Sequence, residues 1–464
     1  NCLETLLDGV AMLQEITPKT TDKVTSFGEG MSAKIIEAIF LENNIDTRLL
    51  DGCDLIQTAQ QNGRLVINWE QTKENVSRLY SDNTAKITLV PGFVARNQKG
   101  ENTTLGRGGS DFTASILANV LNATSIEIWT DVSGMYSAHP KIVAQAVPIK
   151  ELSYLEAMEL SHFGAKVIYP PTLQPLVEKN IPALIKNTFA KEDKGTLITS
   201  GIDTPFSTVV KGISHIDNVS LVTLEGSGMV GIPGFSKRLF EVLSIEKINV
   251  IMIVQASSEH SICIGLRTED ALQAKHIIDE EFAFEISLKK VDPAKVENNM
   301  VNVAMVGDNM RNHQGISGKM FSTLGANNVN IRAIAQGASE RNISIIIAEK
   351  DIHKALNCLH EAFFEANIKE LNLFIIGVGN VGSKLMEQIQ QQKTYLHNIL
   401  QLRIRVIAMA NSRKMLLSDT GIDLTQWQAE LSNGLTSDVD GFFAHAKALN
   451  LRNSIFIDNT ANAS

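Results

Sequence analysis

Cysteine is scarce. Four residues, Cys2, Cys53, Cys263 and Cys358, are scattered over 464 positions with no Cys-x-x-Cys pair and no metal-ligand spacing. That excludes a disulfide framework and a zinc ribbon, and it is the pattern of reduced thiols in a cytoplasmic protein. Long apolar runs are missing too. No stretch of about 18 apolar residues is present, so no membrane span is expected, and no signal-peptide pattern is found. Cations are in deficit: 42 Lys and Arg stand against 51 Asp and Glu, a formal charge of −9. This argues against nucleic acid and anionic membranes as partners, while leaving room for small anions in local basic pockets. The Asn-x-Ser/Thr triplets at Asn75, Asn102 and Asn122 are of a kind common by chance. An initiating Met is also absent. NCLETLLDGVAML reads as a helix already under way, and DNTANAS follows a strand-like NSIFID, so both ends are expected to be cut.

What is present suffices for several cores: 44% of the chain is hydrophobic and 20% charged, and its length suits two to four domains. Up to about residue 200, strand-like and helix-like runs alternate. KITLVPGFVA (86–95) reads as a buried strand entering a Pro-Gly turn. SIEIWTDV (125–132) and IPALIKNT (181–188) read as strands ending in polar residues, and ELSYLEAMELSHF (151–163) as a helix stopping at Gly164. The alternation predicts a mainly parallel α/β sheet between helices, with its chemistry at the carboxyl ends of strands.

Residues 201–370 contain a repeat. Residues 220–264 align without a gap on 301–345, pairing Gly226 with Gly307, Met229 with Met310, Gly234 with Gly315, Phe240 with Phe321, Gln255 with Gln336 and Glu259 with Glu340. Each copy reads strand, loop, helix, strand, turn, strand. One copy alone leaves an open sheet edge, so the two are expected to pair. Neither carries a catalytic constellation, which predicts a binding module.

Residues 371–464 open with a strand running into Gly377-x-Gly379-x-x-Gly382 and a helix, the context that gives this motif its meaning for dinucleotides. The pyrophosphate would lie at the helix amino end, against Gly377, Gly379, Asn380, Val381 and Gly382. The next strand, LRIRVIAMA, ends not in an acid but in Asn411, Ser412, Arg413 and Lys414. An uncharged end followed by cations favours NADP over NAD.

Taken in order, SFGEGMSA (26–33), LGRGGSD (105–111), IWTDVSGMY (128–136), ELSHFGAKVIYP (159–170), IKNT (185–188), the QASSE and QGASE turns and GVGNVG resemble the bifunctional aspartokinase–homoserine dehydrogenase family over nearly the whole chain. The resemblance implies an amino-acid-kinase fold over 1–200, tandem βαββαβ-like ACT regulatory domains over 201–370 and the start of a Rossmann domain over 371–464. It implies transfer of the γ-phosphoryl of ATP to the side-chain carboxylate of L-aspartate, with Mg²⁺ accompanying the nucleotide and no protein metal site.

In that frame Arg107 is the carboxylate clamp, its planar fork suited to bidentate binding. Gly108 and Gly109 let backbone approach the substrate. Ser110 and Asp111 are expected to cap a helix beginning near Phe112, with Phe112, Ile116, Leu117 and Val120 on its core face. Asp111 is a candidate catalytic group beside Arg107, and Glu29 would meet the ammonium of aspartate. The resemblance assigns the nucleotide to Thr130, Asp131, Tyr136, Lys141 and Lys166. Where the family runs Asp-Pro-Arg, this chain has His139-Pro140-Lys141, keeping the cation without its fork.

Gln255 and Gln336 match the effector glutamines, implying L-threonine as feedback ligand, and ACT pairing implies a homodimer or homotetramer. The family also begins with a Lys-Phe-Gly-Gly strand that has no counterpart here, and its dehydrogenase catalytic lysines would lie beyond Ser464. A central piece with little kinase and no dehydrogenase activity is therefore expected. The rival expectation is a non-catalytic module binding threonine and nucleotide. The repeat and the fused glycine motif argue against an acetylglutamate kinase, and the fusion against a monofunctional lysine-regulated aspartokinase.

Overall fold

A computed structural model describes residues 2–61, 64–81, 85–164, 167–200, 209–255, 260–337, 341–364, 369–398, 400, 402–419, 421–451 and 453–460. They divide into two compact units, residues 1–317 with 331–350, and residues 318–330 with 351–464.

The chain opens with helices α1 (Cys2–Leu13) and α2 (Pro18–Glu42). Proline suits a first helical position, and Thr17 caps α2 by accepting from Thr20 N. Strand β1 (Thr47–Leu49), helix α3 (Gly52–Leu55), strands β2 (Gln57–Gln61) and β3 (Arg64–Ile67) and helix α4 (Trp69–Ser81) follow. Next come β4 (Ile87–Leu89), β5 (Val94–Asn97), β6 (Asn102–Thr104), helix α5 (Gly109–Leu121) and β7 (Ile126–Thr130). Then β8 (Glu151–Ser153), helices α6 (Tyr154–His162) and α7 (Gln174–Lys179), and β9 (Ala183–Asn187) and β10 (Thr196–Thr199) complete the region.

The pairs β1–β4, β2–β5, β7–β9 and β8–β10 are parallel, while β2–β3, β5–β6 and β9–β10 are antiparallel. The run 86–95 is thus not one strand. Pro91 and Gly92 break it, because Pro lacks the N–H that a ladder needs. Likewise 151–153 is a strand rather than the head of the following helix. Ser153 is the N-cap of α6, with a full capping box to Glu156.

Strand β11 (Gly212–Glu225) begins a six-stranded sheet with β12 (Val250–Gln255), β13 (Ser261–Arg267), β14 (Lys295–Val306), β15 (Ile331–Gln336) and β16 (Asn342–Ala348), in the order β12-β13-β11-β14-β16-β15. The two repeats join through antiparallel β11–β14, so the expected pairing of the copies is borne out. Helices α8 (Phe235–Ile245) and α11 (Ile316–Ala326) are the predicted helices, whereas α9 (Ala271–Glu281), α10 (Ala283–Ser287) and α12 (Ile352–Phe364) come after the aligned residues. The sheet curls until its edge strands approach: Met252 of β12 and Ala333 of β15 share one core cluster with Val219, Leu221, Met300 and Ile346. A second cluster runs from Ile128, Leu152, Leu160 and Ile185 to Ala304 and Val306 of β14, so the α/β region and the sheet share a core.

In the second unit a parallel trio is built from β17 (Lys369–Ile376), β18 (Leu402–Ala410) and, after helix α13 (Asn380–Asn398), β19 (Lys414–Leu417), helix α14 (Trp427–Ser432), β20 (Leu435–Thr436) and helix α15 (Val439–Leu449), β21 (Ser454–Asp458). β17 pairs in parallel with both β18 and β21. Among the described residues no helix is long and apolar enough to cross a membrane.

Candidate functional site

Two loops of the first unit meet at Gly108. Gly108 sits in the left-handed region at φ 66° as the N-cap of α5, and a Cβ there would lie 2.5 Å from Tyr169 Cβ. α5 therefore begins at Gly109, not near Phe112. Ser110 and Asp111 lie inside its first turn, and no side chain caps it. The expected cap is replaced because the glycine supplies the backbone conformation at no steric cost. Arg107 stands next to this helix amino end and its dipole. Arg107 is exposed and, among the described residues, carries no ion pair. Burial alone pulls the Asp111 carboxyl above the usual range. The predicted apolar stripe is present: Ile116 is buried, with Phe112, Leu117 and Val120 packed on the same cluster.

Sequence reasoning missed the other wall of this loop. Phe93 adopts φ 70°, its N–H donates to Thr113 Oγ1 at 3.0 Å, and its carbonyl accepts from Leu105 N at 2.8 Å. Also missed was the anchoring of α2. Asp22 accepts from Thr104 Oγ1 at 2.7 Å and Ser26 from Asn102 Nδ2 at 3.4 Å, both on the strand leading into the loop. Glu29 falls on the same helix face by its i, i+4, i+7 spacing from Asp22 and Ser26, and it is half-buried. It sits in the middle of α2.

The parallel strands β7 and β9 bring Thr130 level with Asn187, and Thr188 N donates to Thr130 O at 2.9 Å. Thr130 Oγ1 donates to Asp131, whose carboxylate is otherwise exposed. Asn187 donates to Ser133 Oγ at 2.9 Å, and Ser133 in turn donates to Asp193, so the carboxyl ends of both strands are tied into one polar rim. Lys186 lies over the Trp129 ring, 4.6 Å from its centroid. Beyond the rim, Tyr136 bridges to Pro148, and Lys141 is exposed with its backbone N–H on His139 Nδ1 at 3.3 Å. Lys166 lies outside the described residues.

Gln255 and Gln336 end the two edge strands and are exposed. Strand alternation turns them away from the shared Met252–Ala333 cluster. Gln336 Oε1 accepts from Ser317 Oγ at 3.3 Å. The turns that follow, 256–259 and 338–340, lie outside the described residues.

In the second unit, Gly377 N donates to Ala410 O at 2.8 Å. A Cβ on Gly382 would lie 2.5 Å from Gly377 O, whereas one on Gly379 would meet nothing within 4 Å. The third glycine therefore packs helix on strand, and the second leaves open space in front of the loop. Asn459 N donates to Ile376 O at 2.8 Å, and its buried Nδ2 has no partner among the described residues, an orphan donor beside the loop that the sequence did not flag. After β18, Asn411 Oδ1 accepts from both Arg413 N and Lys414 N. Lys414 Nζ donates to Gly434 O at 2.9 Å, so of the two predicted cations only Arg413 faces solvent.

Residues 6–187 match the amino acid kinase family, and residues 222–282 and 303–363 each match the ACT domain. The chain is 38% identical over 459 residues to a bifunctional aspartokinase/homoserine dehydrogenase of Haemophilus influenzae, covering 98% of this chain and 56% of that protein. It is similar to Escherichia coli aspartokinase III crystallised with aspartate and ADP in the R-state, at TM-score 0.65 and 30% identity over 78% of this chain and 81% of that one. The same enzyme with lysine and aspartate, in the T-state, matches at TM-score 0.62 and 30% identity, covering 78% and 80%. The chain spans about half the length of the curated relatives it matches.

Proposed function

The chain belongs to the aspartokinase family, and from that premise we propose that it binds L-aspartate and ATP for phosphoryl transfer to the side-chain carboxylate, within a protein that also carries a homoserine dehydrogenase. The observation that supports this most directly is the exposed Arg107 beside the left-handed Gly108, at the uncapped amino end of α5.

Phosphoryl transfer asks mainly for positioning and charge stabilisation. Arg107 holds a substrate carboxylate by its fork, the amino end of α5 adds backbone N–H donors, and Glu29 takes the ammonium. Asp111 stands at the same helix end. Burial raises its carboxyl, and it is the candidate catalytic group beside Arg107. Thr130 and Asp131, at the carboxyl end of β7, hold the nucleotide together with Tyr136, Lys141 and Lys166. Mg²⁺ accompanies the nucleotide, carried by its phosphates.

The proposed domains are a kinase over 1–200, a regulatory region over 201–370 and the dinucleotide-binding start of the dehydrogenase over 371–464. NADP, which supplies hydride chemistry when bound, fits the loop Gly377, Gly379, Asn380, Val381 and Gly382, with Arg413 for the 2′-phosphate and the orphan Asn459 Nδ2 beside it. L-Threonine is the effector, recognised through Gln255 and Gln336, in a cytoplasmic homo-oligomer assembled on the ACT pair.

Titration calorimetry of the chain with L-aspartate, Mg-ADP, L-threonine and L-lysine tests this. Aspartate binding that weakens about tenfold or more in Arg107→Lys is expected, since a point charge cannot replace the fork. Aspartate binding untouched by that change would remove Arg107 from the site. Lysine binding in place of threonine would overturn the effector.

A further inference from the structure

The segment Tyr136–Lys141 is not held by its own region alone. β11, the first strand of the regulatory sheet, starts alongside it. Ile213 N donates to Ser137 O at 2.8 Å, and a Cβ on Gly212 would lie 3.5 Å from Tyr136 O. Two residues further on, the ring of His215 meets the ring of His139 edge to face, with centroids 5.6 Å apart and planes at 69°. The His215 side chain is only 8% exposed, and its Nε2 lies 3.5 Å from Asp217 Oδ1. His139 Nδ1 accepts the backbone N–H of Lys141 at 3.3 Å, and His139 O accepts from Ile142 N and Val143 N. A continuous packed route therefore runs from the sheet through two imidazole rings to the backbone of Lys141.

We propose, on the nucleotide role given above to Lys141, that His215 is a positioning residue for nucleotide binding: a side chain of the regulatory sheet that sets where Lys141 stands. A lysine has a flexible four-carbon stem and no fork, so its reach to a phosphate depends on where its backbone is fixed. Here the backbone is fixed by His139, and His139 by His215. β11 is in turn the strand that both repeats grip. It pairs with β13 from Val219 to Glu225 and with β14 from Gly212 onward, with register shifts around Ile216 and Val219. A change of register between the repeats would move the amino end of β11, and with it the ring against His139. An element with two such arrangements, biased from both sides, would couple the two sites.

The test is calorimetric titration of the chain with Mg-ADP in a double-mutant cycle. Lys141→Ala is expected to weaken binding about tenfold or more, as loss of a charge-assisted phosphate contact does. His215→Ala and His139→Ala are each expected to weaken it about three- to tenfold, the range of a lost ring–ring contact. His215→Phe, which keeps the ring edge, is expected to stay within about twofold of the parent chain. The decisive readout is the pair Lys141→Ala with His215→Ala. If His215 acts through Lys141, the pair is no weaker than Lys141→Ala alone. Additive losses would overturn the proposal, showing that His215 acts on the fold and not on the cation. So would Mg-ADP binding unchanged by His215→Ala, or His215→Phe as weak as the alanine. If Lys141→Ala itself leaves Mg-ADP binding unchanged, the nucleotide role of the segment fails first, a result distinct from the others. Should His215→Ala not fold, His139→Ala, on an exposed loop residue, and His215→Phe carry the same cycle.

Discussion

A methyl group at Gly108 would lie 2.5 Å from Tyr169 Cβ, on a backbone held at φ 66°. Gly108→Ala therefore meets two penalties, a left-handed conformation of about 1–2 kcal/mol and a steric contact with no flexible partner to yield. The expected outcome is a loss of stability of about 1–3 kcal/mol by urea unfolding, together with loss of aspartate binding. Tyr169→Gly in the same chain, which removes the Cβ that is met, should recover only the steric part, because the dihedral at position 108 is unchanged; full recovery would show that the conformation is not strained. At this scale the loop was legible from Arg107, Gly108 and Gly109, whose types admit few roles. Phe93 was not. Its left-handed backbone is imposed by bonds to Thr113 and Leu105 from distant parts of the chain, and nothing in its own neighbourhood announces them. Asn459 escaped notice for the same reason: it meets the Gly377 loop only once β21 lies beside β17.

At the scale of elements, α6 shows how a local signal and a tertiary one converge. Ser153 and Glu156 form a capping box, readable in principle from their spacing. Yet the sequence reading began the helix at Glu151, because apolar periodicity alone cannot separate a three-residue strand from the first turn of a helix. The strand β8 exists because β10 pairs with it. The same box reaches the second repeat. Glu156 Oε1 accepts Asp308 N at 3.0 Å, Ser153 Oγ bonds the Asp308 carboxylate, and Asn342 Nδ2 donates to Glu159 at 2.8 Å. Ser153→Ala removes a cap and this cross-bond together, so a loss of about 1–2 kcal/mol in urea unfolding is expected, at the upper end for caps. A loss below about 0.5 kcal/mol would place the whole cost of the bond in water.

Burial raises the Glu156 carboxyl above the usual range, against the two backbone N–H groups that pull it down. A carboxyl whose folded pKa is raised stabilises the fold while it is protonated. That stability is present below the ordinary glutamate value and is lost as pH rises through the raised one. The Glu156 contribution therefore falls with rising pH, and it is read as a difference: across this interval stability should change less favourably with rising pH in the parent than in Glu156→Gln, which has no proton to lose. An equal slope in the variant would show that Glu156 does not contribute to the dependence.

For the molecule as a whole, the repeat was the most legible feature, because a constant offset needs no knowledge of packing. Its consequence, a single sheet joined at β11 and β14, follows from the open edge that each copy would otherwise keep. The trailing helices α9 and α12 were not legible, since they fall after the aligned residues. The sheet still has two edges. Among the described residues β12 pairs only with β13 and β15 only with β16. Both edges present an isoleucine at the matching position, Ile253 at 51% exposure and Ile334 at 43%. A lone exposed isoleucine needs no explanation, but a matched pair on two unpaired edges is what negative selection normally removes unless something covers them. A homo-oligomer assembled on these edges buries both. Gln255 and Gln336 stand two residues further along the same outward faces, so effector binding should then depend on assembly. Sedimentation velocity is expected to show a dimer or larger species, and Ile253→Lys with Ile334→Lys to shift it to monomer at a stability cost within about 1 kcal/mol, the range of surface changes. L-Threonine affinity should fall in the same double variant. A variant that sediments as the parent does would move the subunit contact elsewhere. A monomer that still binds threonine with full affinity would show that each chain holds its effector alone.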